Sequence, residues 1–283
     1  MNDIKIYAFS DESSPKISEQ IEALKRNALN GTELRGVDGE NVSDISLQKA
    51  KEVKKQFDDS GLKVWSIGSP IGKININDDF SAHLDKFKHT LEIANIMDAK
   101  NIRLFSFYPP ENEKPENCKN EVISRLGEFI LASAGSGVNL CHENEKGIYG
   151  DIPERCLEIH KALPELKGIF DPANFVQCGA DTLKAWDMLK DYIYYMHIKD
   201  AREDGFVVPA GFGAGNLKEV VSAFIANGGR NFTIEPHLTL FEGLGALERE
   251  GEKSGIGEFK YETAEIAFDE ASNKFKALLA GIK

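Results

Sequence analysis

The sequence predicts a single-domain α/β protein, a closed (β/α)8 (TIM) barrel over residues 1–283. Three observations carry that expectation. Eight short strand-like runs alternate with segments of helical periodicity. Several runs are apolar at nearly every position, as in Ile-Arg-Leu-Phe-Ser-Phe at 102–107 and Ile-Tyr-Tyr-Met-His-Ile at 193–198. Parallel strands covered by helices on both faces read this way. Finally, eight such units in 283 residues match the size of one closed barrel.

The elements follow in order. Ile4–Phe9 is the first strand, and Ile17, Ile21, Leu24 and Ala28 give the first helical face. Gly31–Arg35 precedes a helix marked by Leu47, Ala50, Val53 and Phe57, with Ser46 placed to cap it and Gly61 just past its end. Lys63–Gly68 leads to the face of Leu84, Phe87, Leu91, Ala94 and Met97, and Asn101–Phe107 to that of Val122, Leu126, Phe129 and Ile130. After Val138–Glu143, Asp151-Ile-Pro opens a fifth helix. Gly168–Asp171 and Tyr192–Lys199 are strands six and seven, and Leu217–Ala226 is the seventh helix. Asn231–Glu235 is the last strand, and Tyr261–Leu279 a closing helix. A doubly wound open sheet is the alternative. It expects a glycine-rich first turn, whereas the first strand here ends Phe9-Ser-Asp-Glu. The Gly- and charge-rich stretch 238–257 follows strand eight and is expected to form a flap or a homodimer contact.

Composition narrows the function. A net charge of −12 argues against a nucleic-acid partner. No run approaches the ~18 apolar residues of a membrane helix. The opening MNDIKIYAFSDE lacks the basic start and apolar stretch of a signal peptide, so a cytoplasmic protein is expected. Cys118, Cys141, Cys156 and Cys178 form no C-x-x-C pair and are expected to be reduced thiols.

In such barrels the chemistry gathers where the strands end, because the loops there surround one mouth. Strands five to eight end in Glu143, Asp171, His197 and Glu235. Ionisable groups at the end of a buried strand are costly unless paired or bound to a metal. Three oxygens and one nitrogen suit Mn2+ or Mg2+ and accept Co2+ or Zn2+, so one divalent metal, Mn2+ first, is the expected cofactor. For any one acid alone, a surface or salt-bridge role is the simpler reading; four at matching strand ends favour a site.

Around this set lie softer candidates for contact with a substrate. Lys199 shares a strand face with His197, its alternative being a salt bridge to Asp200 or Glu203. His237 is a candidate hydrogen-bonding group or is satisfied by the flap. Arg35 either fixes an anionic group or pairs with Glu33. Lys73 reaches inward from the third loop or stays exposed, and Glu145 and Glu12 are further candidates. Gly211-Phe-Gly-Ala-Gly215 precedes the seventh helix, where barrels often bind phosphate; a mobile hairpin is the alternative.

The ordered motifs Gly31-Thr-Glu-Leu-Arg35, Cys141-His-Glu-Asn-Glu145, Phe170-Asp-Pro-Ala-Asn174, Met196-His-Ile-Lys-Asp200 and Ile234-Glu-Pro-His237 resemble the sugar phosphate isomerase/epimerase superfamily, with its xylose isomerase-like barrel. The resemblance covers nearly the whole chain. It implies an isomerase or epimerase of a sugar or sugar-derived substrate that moves a proton next to a carbonyl through an enediolate. Glu143 and Glu235 would be both ligands and acid/base groups, and Asp171 and His197 ligands only. A polyol-ketone dehydratase resembling inosose dehydratase shares the first step; a non-catalytic sugar-binding barrel is the third possibility.

The pattern also departs from its relatives. Ketose 3-epimerases of the superfamily carry an acid where this chain has Tyr149, a histidine at Asn174 and an arginine at Glu203. Asn174 is kept as a substrate-binding candidate, but an unmodified hexulose is not expected. Endonuclease IV-type enzymes share the barrel and need histidines where this chain has Ser69, Tyr108, Asn174 and Ala210.

Overall fold

The computed structural model describes residues 3–241 and 259–282. All eight expected runs form strands: β1 (Lys5–Ala8), β2 (Gly31–Leu34), β3 (Lys63–Ile67), β4 (Asn101–Leu104), β5 (Asn139–Glu143), β6 (Lys167–Phe170), β7 (Ile193–Ile198) and β8 (Asn231–Ile234). Each pairs in parallel with its successor. The ring closes where β8 returns to β1, with Lys5 opposite Asn231 and Ala8 opposite Ile234.

The helices are α1 (Ile17–Arg26), α2 (Leu47–Ser60), α3 (Phe80–Ile96), α4 (Lys119–Ser133), α5 (Pro153–Ala162), α6 (Pro172–Gln177), α7 (Thr182–Leu189), α8 (Leu217–Ala226) and α9 (Ala264–Ala280). Local chemistry sets several ends. Ser46 Oγ accepts from Lys49 N at 3.1 Å, and Gly61 takes φ 74°, a left-handed conformation in which a β-carbon would be strained. The closing helix starts at Ala264, not Tyr261, because Thr263 caps it through Ile266 N. The sixth connection holds two short helices, α6 and α7, where periodicity marks none.

Alternation along the strands sorts side chains into two layers. Leu140, Phe170, Met196, Ile198, Phe232 and Ile234 face outward into the main core, which the helices cover. Their neighbours face the barrel axis. There Cys141, Ile169 and Tyr195 pack with Trp65, and Tyr7 stacks on Trp65 at 4.8 Å. This aromatic plug fills the lower barrel, so the next inward residues along each strand stand at the mouth. All four cysteines are free. No helix among the described residues is long and apolar enough to cross a membrane. The stretch expected to be a flap or dimer contact lies largely in 242–258, outside the described residues.

Candidate metal centre

Four side chains of ligand type converge above the plug. Glu143 ends β5, His197 is the last inward residue of β7, and Asp171 and Glu235 directly follow β6 and β8. All four are buried, and one donor atom from each lies within 4.8 Å of the others. His197 Nδ1 stands 2.7 Å from Glu143 Oε1 and 3.6 Å from Glu235 Oε2. Its Nε2 lies 3.2 Å from Glu33 Oε2.

Cationic side chains thread the same space. Lys199 Nζ bridges Asp171 Oδ2 at 2.9 Å and Glu235 Oε2 at 3.0 Å, so its partners are neither Asp200 nor Glu203. Arg103 donates to Glu143 Oε2 at 3.0 Å. Arg35 is held by Asp11 at 2.8 Å and Glu12 at 2.9 Å and reaches Glu235 Oε1 at 3.3 Å; its partner is not Glu33. Lys73 is mostly buried against Glu145 at 2.8 Å and over the Phe105 ring.

The charges do not balance. Seven carboxylates (Asp11, Glu12, Glu33, Glu143, Glu145, Asp171, Glu235) share the mouth with five cationic groups, Arg35, Lys73, Arg103, Lys199 and the His197 imidazolium. Burial lifts the Asp171 carboxyl, Lys199 opposes that, and Glu235 and Glu143 add to it, leaving a pKa of about 7. Burial opposes the charge on Glu235, yet Lys199, His237, His197 and Arg35 hold its pKa well below the usual carboxylate range. Burial alone would lower His197; Glu143 and Glu33 override it and lift it to about 10. Asp171 Oδ2 is buried and receives no well-directed hydrogen bond, although Lys199 is close. An oxygen-rich set with one imidazole, excess negative charge and an oxygen without a directed donor fits a divalent cation.

The remaining candidates serve the walls. His237 adopts φ 45°, and its backbone N–H donates to Glu12 Oε2 at 2.6 Å. Asn174 donates its backbone N–H to Asp171 Oδ1 and its side-chain amide to the Asn144 carbonyl, each at 2.9 Å. Tyr149 turns to Glu158 at 2.5 Å. Asp11 and Glu33, at the ends of the first two strand runs, also belong to the mouth, and so does Arg103, which the strand-end pattern does not mark. The signal for Arg103 was alternation, since it sits between outward-facing Ile102 and Leu104.

The glycine-rich loop wraps a carboxylate of its own chain. Gly211 N and Gly213 N donate to Asp200 Oδ2 at 2.9 Å, while Gly215 N and Ala201 N donate to Oδ1 at 3.0 Å. A β-carbon on Gly213 would fall 2.4 Å from that oxygen, which explains the glycine. These amides therefore serve Asp200, not a phosphate. Asp200→Ala leaves four N–H donors without their acceptor and is expected to cost about 3 kcal/mol of unfolding free energy. Urea denaturation measures it; a loss below ~1 kcal/mol would mean that water replaces the carboxylate.

The sequence model of the xylose isomerase-like TIM barrel family matches residues 21–249. Curated protein sequences give no match. Among solved structures, the IOLI protein with a binding zinc atom superposes with a TM-score of 0.75 at 16% identity, covering 99% of both chains. A D-tagatose 3-epimerase-like protein gives 0.76 at 16% identity, covering 99% of this chain and 98% of its own. A xylose isomerase-like TIM barrel protein from Mycobacterium smegmatis in complex with magnesium gives 0.67 at 12% identity, with 94% and 89% covered. At these identities the likeness is one of fold.

Proposed function

The chain belongs to the xylose isomerase-like TIM barrel family, and from that premise we propose that it is a metal-dependent sugar isomerase or epimerase. The observation that carries the reading is the buried set Glu143, Asp171, His197 and Glu235, whose donor atoms lie within 4.8 Å of one another. Those residues would hold a divalent cation, Mn2+ first by its tolerance of both carboxylate and imidazole, with Mg2+, Co2+ and Zn2+ as alternatives. Such an ion supplies Lewis acidity to the oxyanion that develops when a proton leaves the carbon beside a carbonyl.

The chain's own groups move the proton. Glu235 is kept ionised by Lys199, His237, His197 and Arg35, so one of its oxygens can accept a proton at the pocket. Glu143 stands across the same space, anchored by Arg103 at 3.0 Å. One glutamate removes a proton and the other returns one, which converts configuration or carbonyl position without a change in composition. Asp171 and His197 would hold the ion, and Lys199, between Asp171 and Glu235, would contact a substrate oxygen. Tyr149, Asn174 and Glu203 stand where the 3-epimerases carry the groups that grip an unmodified hexulose, so the proposed substrate is a sugar or sugar-derived ketone other than an unmodified hexulose.

The test is solvent-deuterium exchange. Ketopentoses, ketose phosphates and cyclic polyol ketones are incubated in D2O with the protein and Mn2+, and proton NMR follows the position next to the carbonyl. Metal-dependent exchange with unchanged composition is expected. Net loss of water would make the protein a dehydratase on the same first step. Binding without exchange would leave a sugar-binding barrel.

A further inference from the structure

We infer that Glu33 is the positioning residue that orients His197 toward the metal, an inference that rests on the metal reading above. Glu33 is wholly buried and comes from β2, across the barrel from β7. Its Oε1 is claimed by two hydroxyls, Tyr195 at 2.9 Å and Ser66 at 3.3 Å. That leaves Oε2 turned to His197 Nε2 at 3.2 Å. A carboxylate accepts and does not donate, so the nitrogen facing it carries the proton. The other ring nitrogen, Nδ1, donates to Glu143 Oε1 at 2.7 Å, so it is the one that would give up its proton to a cation lying among Glu143, Asp171 and Glu235, while Glu33 keeps the proton on Nε2.

The local structure is built around this arrangement. Tyr195 and His197 lie two residues apart on one face of β7, so the strand that presents the imidazole also presents the hydroxyl clamping its acceptor. The β2–β3 register shifts between Thr32 and Glu33, which places Glu33 opposite Ser66. Phe9 packs edge-on against the imidazole at 5.2 Å and Tyr195 at 5.6 Å, fixing the ring plane. Among the described residues the ion-pair partner of Glu33 within 4 Å is His197, so its burial has no compensating lysine or arginine in direct contact. A buried carboxylate on the far nitrogen of a metal-binding histidine raises ligand basicity and selects the tautomer.

Cation affinity is the readout, because it needs no substrate. Co2+ binding is measured from its visible spectrum and by competition with a chromophoric chelator. Glu33→Gln is expected to weaken Co2+ binding by about 10- to 100-fold, with the melting temperature of the chelator-treated protein close to wild type. In a His197→Ala background the same substitution should change affinity by less than about 2-fold, because the ring it orients is gone. A merely structural Glu33 would lower the melting temperature and act alike in both backgrounds. If Glu33→Gln does not fold, Tyr195→Phe, which loosens the clamp, should weaken Co2+ several-fold. Wild-type affinity in Glu33→Gln, or in Tyr195→Phe where that variant stands in for it, overturns the inference, as do equal losses in the two backgrounds. Wild-type protein that binds no Co2+ overturns the metal reading itself, so the two failures are distinct.

Discussion

Glu143→Gln and Glu235→Gln each lower solvent-deuterium exchange by more than about 100-fold at saturating Mn2+, the lower range for loss of a general acid or base. Glutamine keeps the shape and one acceptor oxygen, so the barrel remains intact. In Glu235→Gln, Lys199 still pairs with Asp171 at 2.9 Å, and Arg35 with Asp11 and Glu12. In Glu143→Gln, Arg103 retains the carbonyls of Gly68 and Ser69. What the amide cannot do is take a proton from carbon. Saturating metal is the deciding condition. A variant that only lost affinity would recover as Mn2+ rises, whereas one that lost its base would not. Near-wild-type exchange in either variant would remove that glutamate from the proton-transfer role.

The strands were legible because burial on both faces leaves unbroken apolar runs, and the turns between them carry Ser, Gly and Pro at positions with a physical reason. The sixth connection was not. α7 spans only Thr182–Leu189, little more than two turns, and α6 begins directly after Asp171, so neither offers a long amphipathic repeat. The site divides in the same way. Glu143, Asp171, His197 and Glu235 stand where a hydrophobic run stops, and the eye finds them there. Arg103 lies inside a run, and only period-two alternation turns it inward. The pairing of Arg35 with Asp11 and of Glu33 with His197 depends on the stagger of strands around the ring. That stagger joins residues 24 and 164 positions apart. Nor does the motif Gly211-Phe-Gly-Ala-Gly215 announce that its amides face Asp200 and not an external anion.

Asp171→Ala should fail in the opposite manner from the glutamate variants. Its carboxylate has two jobs on two oxygens. Oδ1 accepts from Asn174 N at 2.9 Å and caps α6, a role worth about 1 kcal/mol. Oδ2 faces Lys199 and receives no directed hydrogen bond. As a direct ligand its removal should raise the metal dissociation constant by at least ~100-fold, beyond the range of outer groups. Exchange at low Mn2+ then disappears, yet it returns toward the wild-type rate when Mn2+ is in large excess, since both proton carriers remain. Asp171→Asn keeps an oxygen for the α6 cap, so it separates the two jobs. It should match the alanine variant in metal affinity while holding the wild-type melting temperature more closely. Metal titrations of exchange rate for the three proteins read both parameters at once. A plateau more than about 10-fold below wild type in Asp171→Ala would place Asp171 among the groups that act on the substrate. An unshifted midpoint would take it out of the ligand set and leave Glu143, His197 and Glu235 to hold the ion.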